Sequence, residues 1–280
     1  MALKTAIITM AKEENDYVRE WVRHYNLLGF TNIIIADNNN KDGQYFDTVI
    51  GDYIENEYVI IEDYRGRQAQ WLQHTVFKEL YEKYKYEYDW IAFFDIDEFL
   101  ILKEDKNIND YLSRDCFKNY DAICINWKVF DDNNLIYWDR TKGVMERFTH
   151  SIPDDKITYI NDSVPQNDTF KSIVRGGKED IILERTIHSP NNDDWNFCNN
   201  KGERIIPQKT YRYPSDHTLA QLNHYWYKTI EEFMLQKRKR GYPNQAYSSA
   251  KMRLSLNNFF RLNQMTEEKV RIGQKLLKNK

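Results

Sequence analysis

Residues 90–100 read Trp-Ile-Ala-Phe-Phe-Asp-Ile-Asp-Glu-Phe-Leu, an apolar run that leads directly into a cluster of carboxylates. Its first five residues are all apolar or aromatic, as expected for a strand that is buried on both faces in the middle of a parallel sheet. At the tip of such a strand, residues i and i+2 point the same way, so Asp95 and Asp97 can converge on one point. The stretch therefore predicts a central strand with paired carboxylates at its carboxyl end.

Strand and helix patterns alternate on the amino-terminal side of this stretch. Short apolar runs predict strands at 6–10, 33–36, 58–61, 90–94 and 122–130. Amphipathic spacing predicts helices at 16–28, 45–52 and 68–84. The alternation predicts an α/β fold in which a mixed, mainly parallel sheet is flanked by helices, with a ligand site at the carboxyl ends of the strands. Residues 131–220 give a weak pattern and are predicted to be irregular.

The composition indicates a globular protein and gives no reason to expect nucleic acid as a partner. The 280 residues include 40 Lys+Arg and 43 Asp+Glu, a net charge of −3, and 15% are aromatic. The sequence lacks the dinucleotide fingerprint, the P-loop, H-E-x-x-H and G-x-S-x-G, so four common enzyme classes are excluded. Three cysteines without a C-x-x-C pair favour reduced thiols. With no apolar segment long enough for a signal or a membrane span, we expect a cytoplasmic protein.

Charge is unevenly distributed along the chain. Residues 228–280 hold 13 Lys/Arg and 4 Asp/Glu, a charge of +9, so the preceding 227 residues carry −12. We expect residues 1–228 to form the α/β domain and residues 229–280 a basic helical extension. The capping-box pattern Thr229-Ile-Glu-Glu232 predicts its first helix, ending before Gly241, and two more are predicted at 251–262 and 266–278.

The run Lys237-Arg-Lys-Arg240 in this extension has three interpretations. It could be a solvated helix face, or it could close on the phosphates of a ligand. It could also dock peripherally on the inner face of an anionic membrane, where each basic residue contributes about 1 kcal/mol.

The carboxylates after the fourth strand are candidates for a metal site. Asp95 and Asp97 repel each other unless a cation neutralises them, and oxygen ligands favour Mg²⁺ or Mn²⁺. The simpler interpretation is a solvated acidic turn. Such a cation would stabilise the charge on a leaving nucleoside diphosphate.

Taken in order, these motifs resemble those of GT-A-fold glycosyltransferases, with family-2-like and family-92-like bacterial sugar transferases as the nearest kin. The main matches are Ala11-Lys-Glu-Glu-Asn15, Asp37-Asn-Asn-Asn40 and the stretch 90–100. Further matches follow at 126–130, 146–148, 171–174, 187–190, 222–225 and 231–233. Residues 131–134 read Asp-Asp-Asn-Asn, whereas relatives usually have small residues and glycine there. This departure affects the part of the resemblance that describes acceptor binding.

The resemblance implies a nucleotide-sugar donor, usually a UDP-sugar, and Mn²⁺ or Mg²⁺ as the cofactor. Asp97 would ligate the metal directly, and Asp95 would lie near the ribose or the metal. A histidine in the carboxyl-terminal part of the chain would be a further metal ligand, with His224 as the first candidate and His188 as the alternative. Lys228 would contact a phosphate of the donor. Additional donor contacts are expected from Thr9, Glu13, Asp37, Asn38, Arg65 and Gln70.

The implied reaction is a single displacement with inversion, in which a carboxylate takes the proton of the acceptor hydroxyl. The sequence leaves this base open among Glu98, Glu146, Asp131, Asp132 and Asp193. The acceptor is expected to be a glycan or a lipid-linked saccharide in surface polysaccharide assembly. The alternatives are a nucleotidyl- or phosphoryl-transfer enzyme with the same metal site, and a non-catalytic carbohydrate-binding protein.

Overall fold

The computed structural model describes residues 2–157, 165–179, 181, 188, 190, 192, 194–206, 213–241 and 254–278. Its strands are β1 (Thr5–Ala11), β2 (Asn32–Asp37), β3 (Val59–Asp63), β4 (Trp90–Phe93), β5 (Glu98–Leu102), β6 (Ala122–Val129), β7 (Phe170–Arg175), β8 (Phe197–Asn199), β9 (Arg204–Ile205) and β10 (Ala220–His224). Its helices are α1 (Asn15–Leu28), α2 (Asp47–Glu55), α3 (Leu72–Tyr84), α4 (Ile108–Leu112), α5 (Val144–Arg147), α6 (Ile230–Glu232), α7 (Arg238–Arg240), α8 (Leu256–Leu262) and α9 (Glu267–Lys278). A π-helical stretch, Phe233–Lys237, joins α6 to α7.

The strands form one mixed sheet in the order β3-β2-β1-β4-β7-β6-β10-β5, with β8 and β9 added beside β6. The first four strands along the chain are mutually parallel, so their carboxyl ends meet at one edge. β7 runs antiparallel between β4 and β6, and β5 runs antiparallel to β10. The predicted α/β class, with a mixed and largely parallel sheet, is confirmed.

Both faces of the parallel half are covered by helices, which explains the continuous apolar strands. Ile7 of β1 belongs to a cluster that includes α1, whereas its neighbour Ile8 belongs to a second cluster under α3. Phe233, Phe259 and Ile272 of the carboxyl-terminal helices join the first of these clusters. The described helices beyond residue 228 therefore pack on the same core as α1. The division of the chain into an α/β domain and a helical extension at residue 228 stays a prediction.

The predicted helix ends agree with the structure where a capping residue determines the end. α1 ends at Gly29, which adopts a φ of 88°, and Thr229 and Glu232 form the complete capping box. The predicted start of α3 at residue 68 is wrong by four positions. Trp71 has a φ of 60°, and this left-handed residue prevents the helix from extending towards its amino terminus.

Three strands that position the site, β5, β7 and β10, lie outside the predicted set. The chain turns at residues 95–97 and continues as β5, which pairs with the distant β10 and not with β4. β7 falls in the region predicted to be irregular, so that prediction is wrong there. Its pairing partners β4 and β6 lie far away in sequence, and such contacts leave no local pattern.

Gly176 allows the end of β7 to approach the turn before β4. Its amide donates to Asp89 O at 2.9 Å, and a Cβ at this position would lie 1.7 Å from Tyr88 O. In contrast, a Cβ added at Gly51 in α2 would meet no atom within 4 Å. β7 can keep this register only while residue 176 has no side chain.

We expect Gly176→Ala to lower the free energy of unfolding by about 2–3 kcal/mol, because the added methyl group forces backbone atoms apart. The matched Gly51→Ala variant should be stabilised by roughly 0.5–1 kcal/mol, since alanine is the better helix former. Urea titrations of both variants measure the difference. Similar stability of the two proteins would contradict the close approach at residue 176.

Candidate functional site

The turn between β4 and β5 meets the end of β10 at the edge of the sheet. In the antiparallel pairing of β10 with β5, His224 lies opposite Glu98. The Tyr225 amide donates to Asp97 O at 2.9 Å, which fixes the turn against β10. As a result, His224 Nε2 lies 3.7 Å from Asp97 Oδ1. Two residues that the sequence selected, 127 positions apart by number, therefore share one site.

Lysine side chains surround the other side of Asp97. Lys237 Nζ lies 3.0 Å from Asp97 Oδ2 and also donates to Trp226 O. Burial alone would raise the pKa of Asp97, but Lys237, His224 and Lys228 together hold this pKa well below its usual range. Asp97 is therefore ionised at neutral pH.

Lys228 is buried in an unusual backbone conformation. Its φ of 59° lies in the left-handed region, directly before the helix cap Thr229. Its ammonium lies 4.3 Å from the centre of the Tyr17 ring. Burial lowers the pKa of Lys228 to about 8, although Asp97 acts in the opposite direction. A strained, desolvated cation beside a carboxylate is typical of a functional site.

A small pocket lies between the start of α1 and the helix that begins at α6. Its enclosed volume is about 10 Å³, room for about one water molecule, and it opens to solvent. Lys228, Lys237 and Arg240 supply three cations to its wall, whereas Glu14 and Glu232 supply two carboxylates. The other lining residues are Tyr17, Tyr227 and Gln236. The pocket therefore suits an anionic ligand beside Asp97.

The β1–α1 loop is tied to the carboxyl-terminal helix across this pocket. Gln236 Nε2 donates to Glu13 O at 3.1 Å, and Arg240 pairs with Glu14. Glu13 has a φ of 53°, and its amide donates to Asn39 Oδ1 at 2.7 Å. The loop that the resemblance assigned to the donor thus forms the rim of the pocket.

A buried ion pair holds the helix that carries Lys237. Arg147 and Glu232 form a bidentate pair with distances of 2.7 and 2.9 Å, and their side chains are 3% and 2% exposed. Tyr17 OH donates to the same Glu232 at 3.0 Å. The Tyr17 ring stacks on Trp138, with ring centres 5.6 Å apart. Tyr17 is therefore fixed both at its hydroxyl and on its ring faces.

A second layer of buried polar groups lies under the turn. Asp95 accepts from Gln73 Nε2 at 2.9 Å and from Lys171 Nζ at 2.7 Å. Glu98 accepts from Trp127 Nε1 at 2.8 Å and from the Asp95 amide at 2.9 Å. Burial raises the pKa of Glu98 to about 8, against the effect of Lys171.

His224 and His188 lie on the same tryptophan. The Trp127 ring centre is 4.2 Å from that of His224 and 5.1 Å from that of His188. Burial lowers the pKa of His224 to about 3 and that of His188 well below 6.5, so both imidazoles are neutral. His224 Nδ1 has no hydrogen-bond partner among the described residues. Of these two histidines, His224 is the one that lies close to Asp97.

The predicted metal ligands are only partly brought together. No group of three His, Cys, Asp or Glu side chains arranged to hold an ion occurs in the described part of the chain. Asp97 and His224 are adjacent, whereas both oxygens of Asp95 face Gln73 and Lys171. The role of Asp95 as a ligand stays a prediction without direct geometric support.

Several predicted donor contacts are engaged within their own loops. Asp37 accepts from Arg65 at 2.8 Å and from the Asn39 amide at 2.9 Å. Asn38 donates to the carbonyls of Tyr64 and Arg67. These residues hold together the loops after β2 and β3, and their contact with a donor stays a prediction.

The remaining two donor candidates differ in exposure. Thr9 is fully buried, and its Oγ1 has no partner within the described residues. Gln70 is exposed in the segment before α3, and Gln73, three residues later, makes the contact with Asp95. The helical pattern of α3 alone could not distinguish these two glutamines.

The candidate bases lie in different surroundings. Glu98 is fully buried, and Glu146 is 62% exposed beside Lys142. Asp132 forms a buried pair with Lys269 at 2.6 Å. Asp131 is half-buried and follows Phe130, whose amide donates to His224 O at 3.0 Å. Glu98 adjoins the site, Asp131 follows a strand end that is bonded to His224, and Asp193 is outside the described residues.

The basic run 237–240 is directed mainly inwards. Lys237 contacts Asp97, Arg238 donates to Leu254 O, and Arg240 pairs with Glu14. Lys239 is the member of the run that is exposed. Sequence reasoning left the run open among a solvated face, ligand phosphates and a membrane surface, and it assigned no role to Lys171. The partners of Lys237 and Lys171 lie 140 and 76 residues away.

Comparison with known proteins identifies the family. The model of glycosyltransferase family 92 matches residues 6–261. The chain belongs to glycosyltransferase family 92. A family 92 protein of Arabidopsis thaliana is 29% identical over 99 residues, which are 33% of this chain and 16% of that relative. The resemblance to this family inferred from the sequence is confirmed.

Solved structures show distant similarity. TarS of S. aureus in complex with UDP-GlcNAc is 11% identical, with a TM-score of 0.43, over 99% of this chain and 80% of TarS. The galactosyltransferase LgtC with donor and acceptor sugar analogues is 11% identical, with a TM-score of 0.26, over 43% of this chain and 46% of LgtC. In the described residues, no helix is long and apolar enough to cross a membrane.

Two substitutions of Tyr17 test separately how much its hydroxyl and its ring contribute to the stability of the packing around the pocket. Tyr17→Phe removes the bond to Glu232 and should lower the free energy of unfolding by about 1.5 kcal/mol. Tyr17→Leu also removes the stacking on Trp138 and the contact with Lys228, so the loss should reach about 3 kcal/mol or more. Urea titration measures both variants. Equal losses would show that the ring faces contribute nothing.

Proposed function

We propose that this family 92 protein transfers a sugar from a nucleoside diphosphate sugar, with uridine as the base, to a hydroxyl of a glycan or lipid-linked saccharide. The observation that carries the proposal is the cationic pocket beside the Asp97–His224 pair. It lies at the carboxyl ends of parallel strands, where ligands bind in open α/β sheets. The uridine base rests on the sequence resemblance.

The pocket cations match the charge of a leaving diphosphate. Breaking the bond from the sugar to the phosphate adds negative charge to the phosphate oxygens, and preorganised cations stabilise that charge. Lys228, Lys237 and Arg240 reach this space from one continuous segment of chain. Lys228 has already lost its hydration and is held by Tyr17, so little reorganisation is needed.

Asp97 and His224 would hold the divalent cation that the resemblance implies. Their facing atoms are 3.7 Å apart, too far for a hydrogen bond. His224 is a neutral imidazole, the form that ligates metals. Mg²⁺ is commonly held by one or two protein ligands together with substrate phosphates, so a third protein ligand is not required. When bound, Mn²⁺ or Mg²⁺ would help to neutralise the diphosphate.

The acceptor side of the proposal rests on the loop after β6. Asp131 is half-buried next to Phe130, which is bonded to His224. It is the described candidate best placed to take the proton of an acceptor hydroxyl. Inversion at the anomeric carbon, a role in surface polysaccharide assembly and peripheral membrane contact remain predictions from the sequence.

Ligand-induced thermal shifts test the donor site. We expect UDP and a UDP-sugar to raise the melting temperature, and Mn²⁺ to increase the shift, because ligands of the folded state stabilise it. Lys228→Met should weaken UDP binding by about tenfold or more, equal to about 1.4 kcal/mol. The matched Lys239→Met variant removes an exposed lysine of the same segment and should bind UDP normally.

Two results would contradict this proposal. One is the absence of stabilisation by any nucleoside diphosphate, with or without Mn²⁺. The other is an equal loss of UDP binding in the Lys228 and Lys239 variants, which would indicate nonspecific attraction. Turnover of an accepted donor should release UDP, whereas release of UMP or pyrophosphate would favour phosphoryl- or nucleotidyl-transfer chemistry.

A further inference from the structure

The two aspartates of the Asp95-Ile-Asp97 turn have different partners. Asp97 lies beside the pocket, with His224 on one oxygen and Lys237 on the other. Asp95 remains 29% exposed, and its two oxygens are engaged by α3 and β7: Lys171 Nζ lies 2.7 Å from Oδ2 and Gln73 Nε2 lies 2.9 Å from Oδ1. The paired sequence pattern therefore does not correspond to one shared cation site.

Lys171 is a fixed internal cation. Its side chain is 0% exposed, and its ammonium also lies 3.5 Å from Glu98 Oε2. It extends from β7, which pairs with β4 on one edge and β6 on the other. Because the Lys171 side chain has no exposed surface, its ammonium cannot leave Asp95 without losing its counter-charge in a low-dielectric interior. Lys171 thus supplies the counter-charge of Asp95.

The contacts of Glu98 make this arrangement rigid. Its carboxylate accepts from Trp127 Nε1 and from the Asp95 amide, so it braces the turn from below. Its backbone oxygen accepts from Trp21 Nε1 at 2.8 Å in α1. The turn is therefore clamped at its first and last residues, and these clamps determine where Asp97 is presented.

We propose that Lys171 is a positioning residue which neutralises Asp95 internally, so that Asp97 with His224 is the cation-binding half of the motif. Asp95 anchors the turn and does not ligate the ion. The inference rests on the proposed function for the metal and nucleotide, whereas the pairing of Lys171 with Asp95 can be tested without either.

A double-mutant cycle tests the pairing. Lys171→Met leaves Asp95 and Glu98 without their cation and should lower the melting temperature by on the order of 10 °C. Adding Asp95→Asn in the same protein should recover at least half of that loss, because the uncompensated charge is removed. Melting temperatures that add independently in the double variant would overturn the pairing.

Binding of Mn²⁺ distinguishes the two aspartates. Electron paramagnetic resonance of free Mn²⁺, in the presence of UDP, measures the affinity of the folded protein for the ion. Asp95→Asn should stay within about twofold of the wild type, whereas the isosteric Asp97→Asn should lose about tenfold or more.

The outcomes separate this inference from the proposed function. If the wild type binds Mn²⁺ with UDP but Asp95→Asn abolishes that binding without lowering the melting temperature, Asp95 is a ligand and the inference is wrong. If the wild type itself binds no Mn²⁺ with UDP, the proposed metal site fails. In that case the stability cycle alone decides whether Lys171 and Asp95 form a coupled pair.

Discussion

Three carboxylates within four consecutive residues, Asp95, Asp97 and Glu98, must be neutralised at the edge of a buried sheet. Isolated charges in such an environment are costly, so each requires a partner with good geometry. The partners come from distant parts of the chain: Lys171 from β7 and Lys237 from the carboxyl-terminal helix. This requirement explains why two distant elements contact one short turn. One is β7, which lies antiparallel beside β4, and the other is the carboxyl-terminal helix that carries Lys237.

The same requirement accounts for part of the uneven charge along the chain. The carboxyl-terminal 53 residues carry +9 and the rest −12. In the structure, Lys237 and Arg240 pair with Asp97 and Glu14 of the amino-terminal region. Lys269 of α9 forms a buried pair with Asp132 at 2.6 Å. Three of the thirteen cations of this segment are therefore paired with carboxylates from the preceding part of the chain.

The features that the sequence predicted correctly are those with local causes. The parallel strands follow from apolar runs, α1 from its Gly29 cap, and α6 from the capping box of Thr229. The pairing of Asp97 with His224 was anticipated through the resemblance and not from spacing. Lys171 and Lys237 could not be assigned, because their partners are set by strand order and helix packing across 76 and 140 residues. β7, with two antiparallel neighbours from distant segments, was missed for the same reason.

The two lysines also differ in what they can do for a ligand. Lys171 is enclosed between Asp95 and Glu98, and a bound anion could not attract it without breaking two buried interactions. Lys237 contacts Asp97 and a backbone carbonyl, and its side chain lines the pocket. The two lysines therefore differ in position. Lys171 is enclosed beneath the turn, whereas Lys237 borders the pocket that we propose for the donor phosphates.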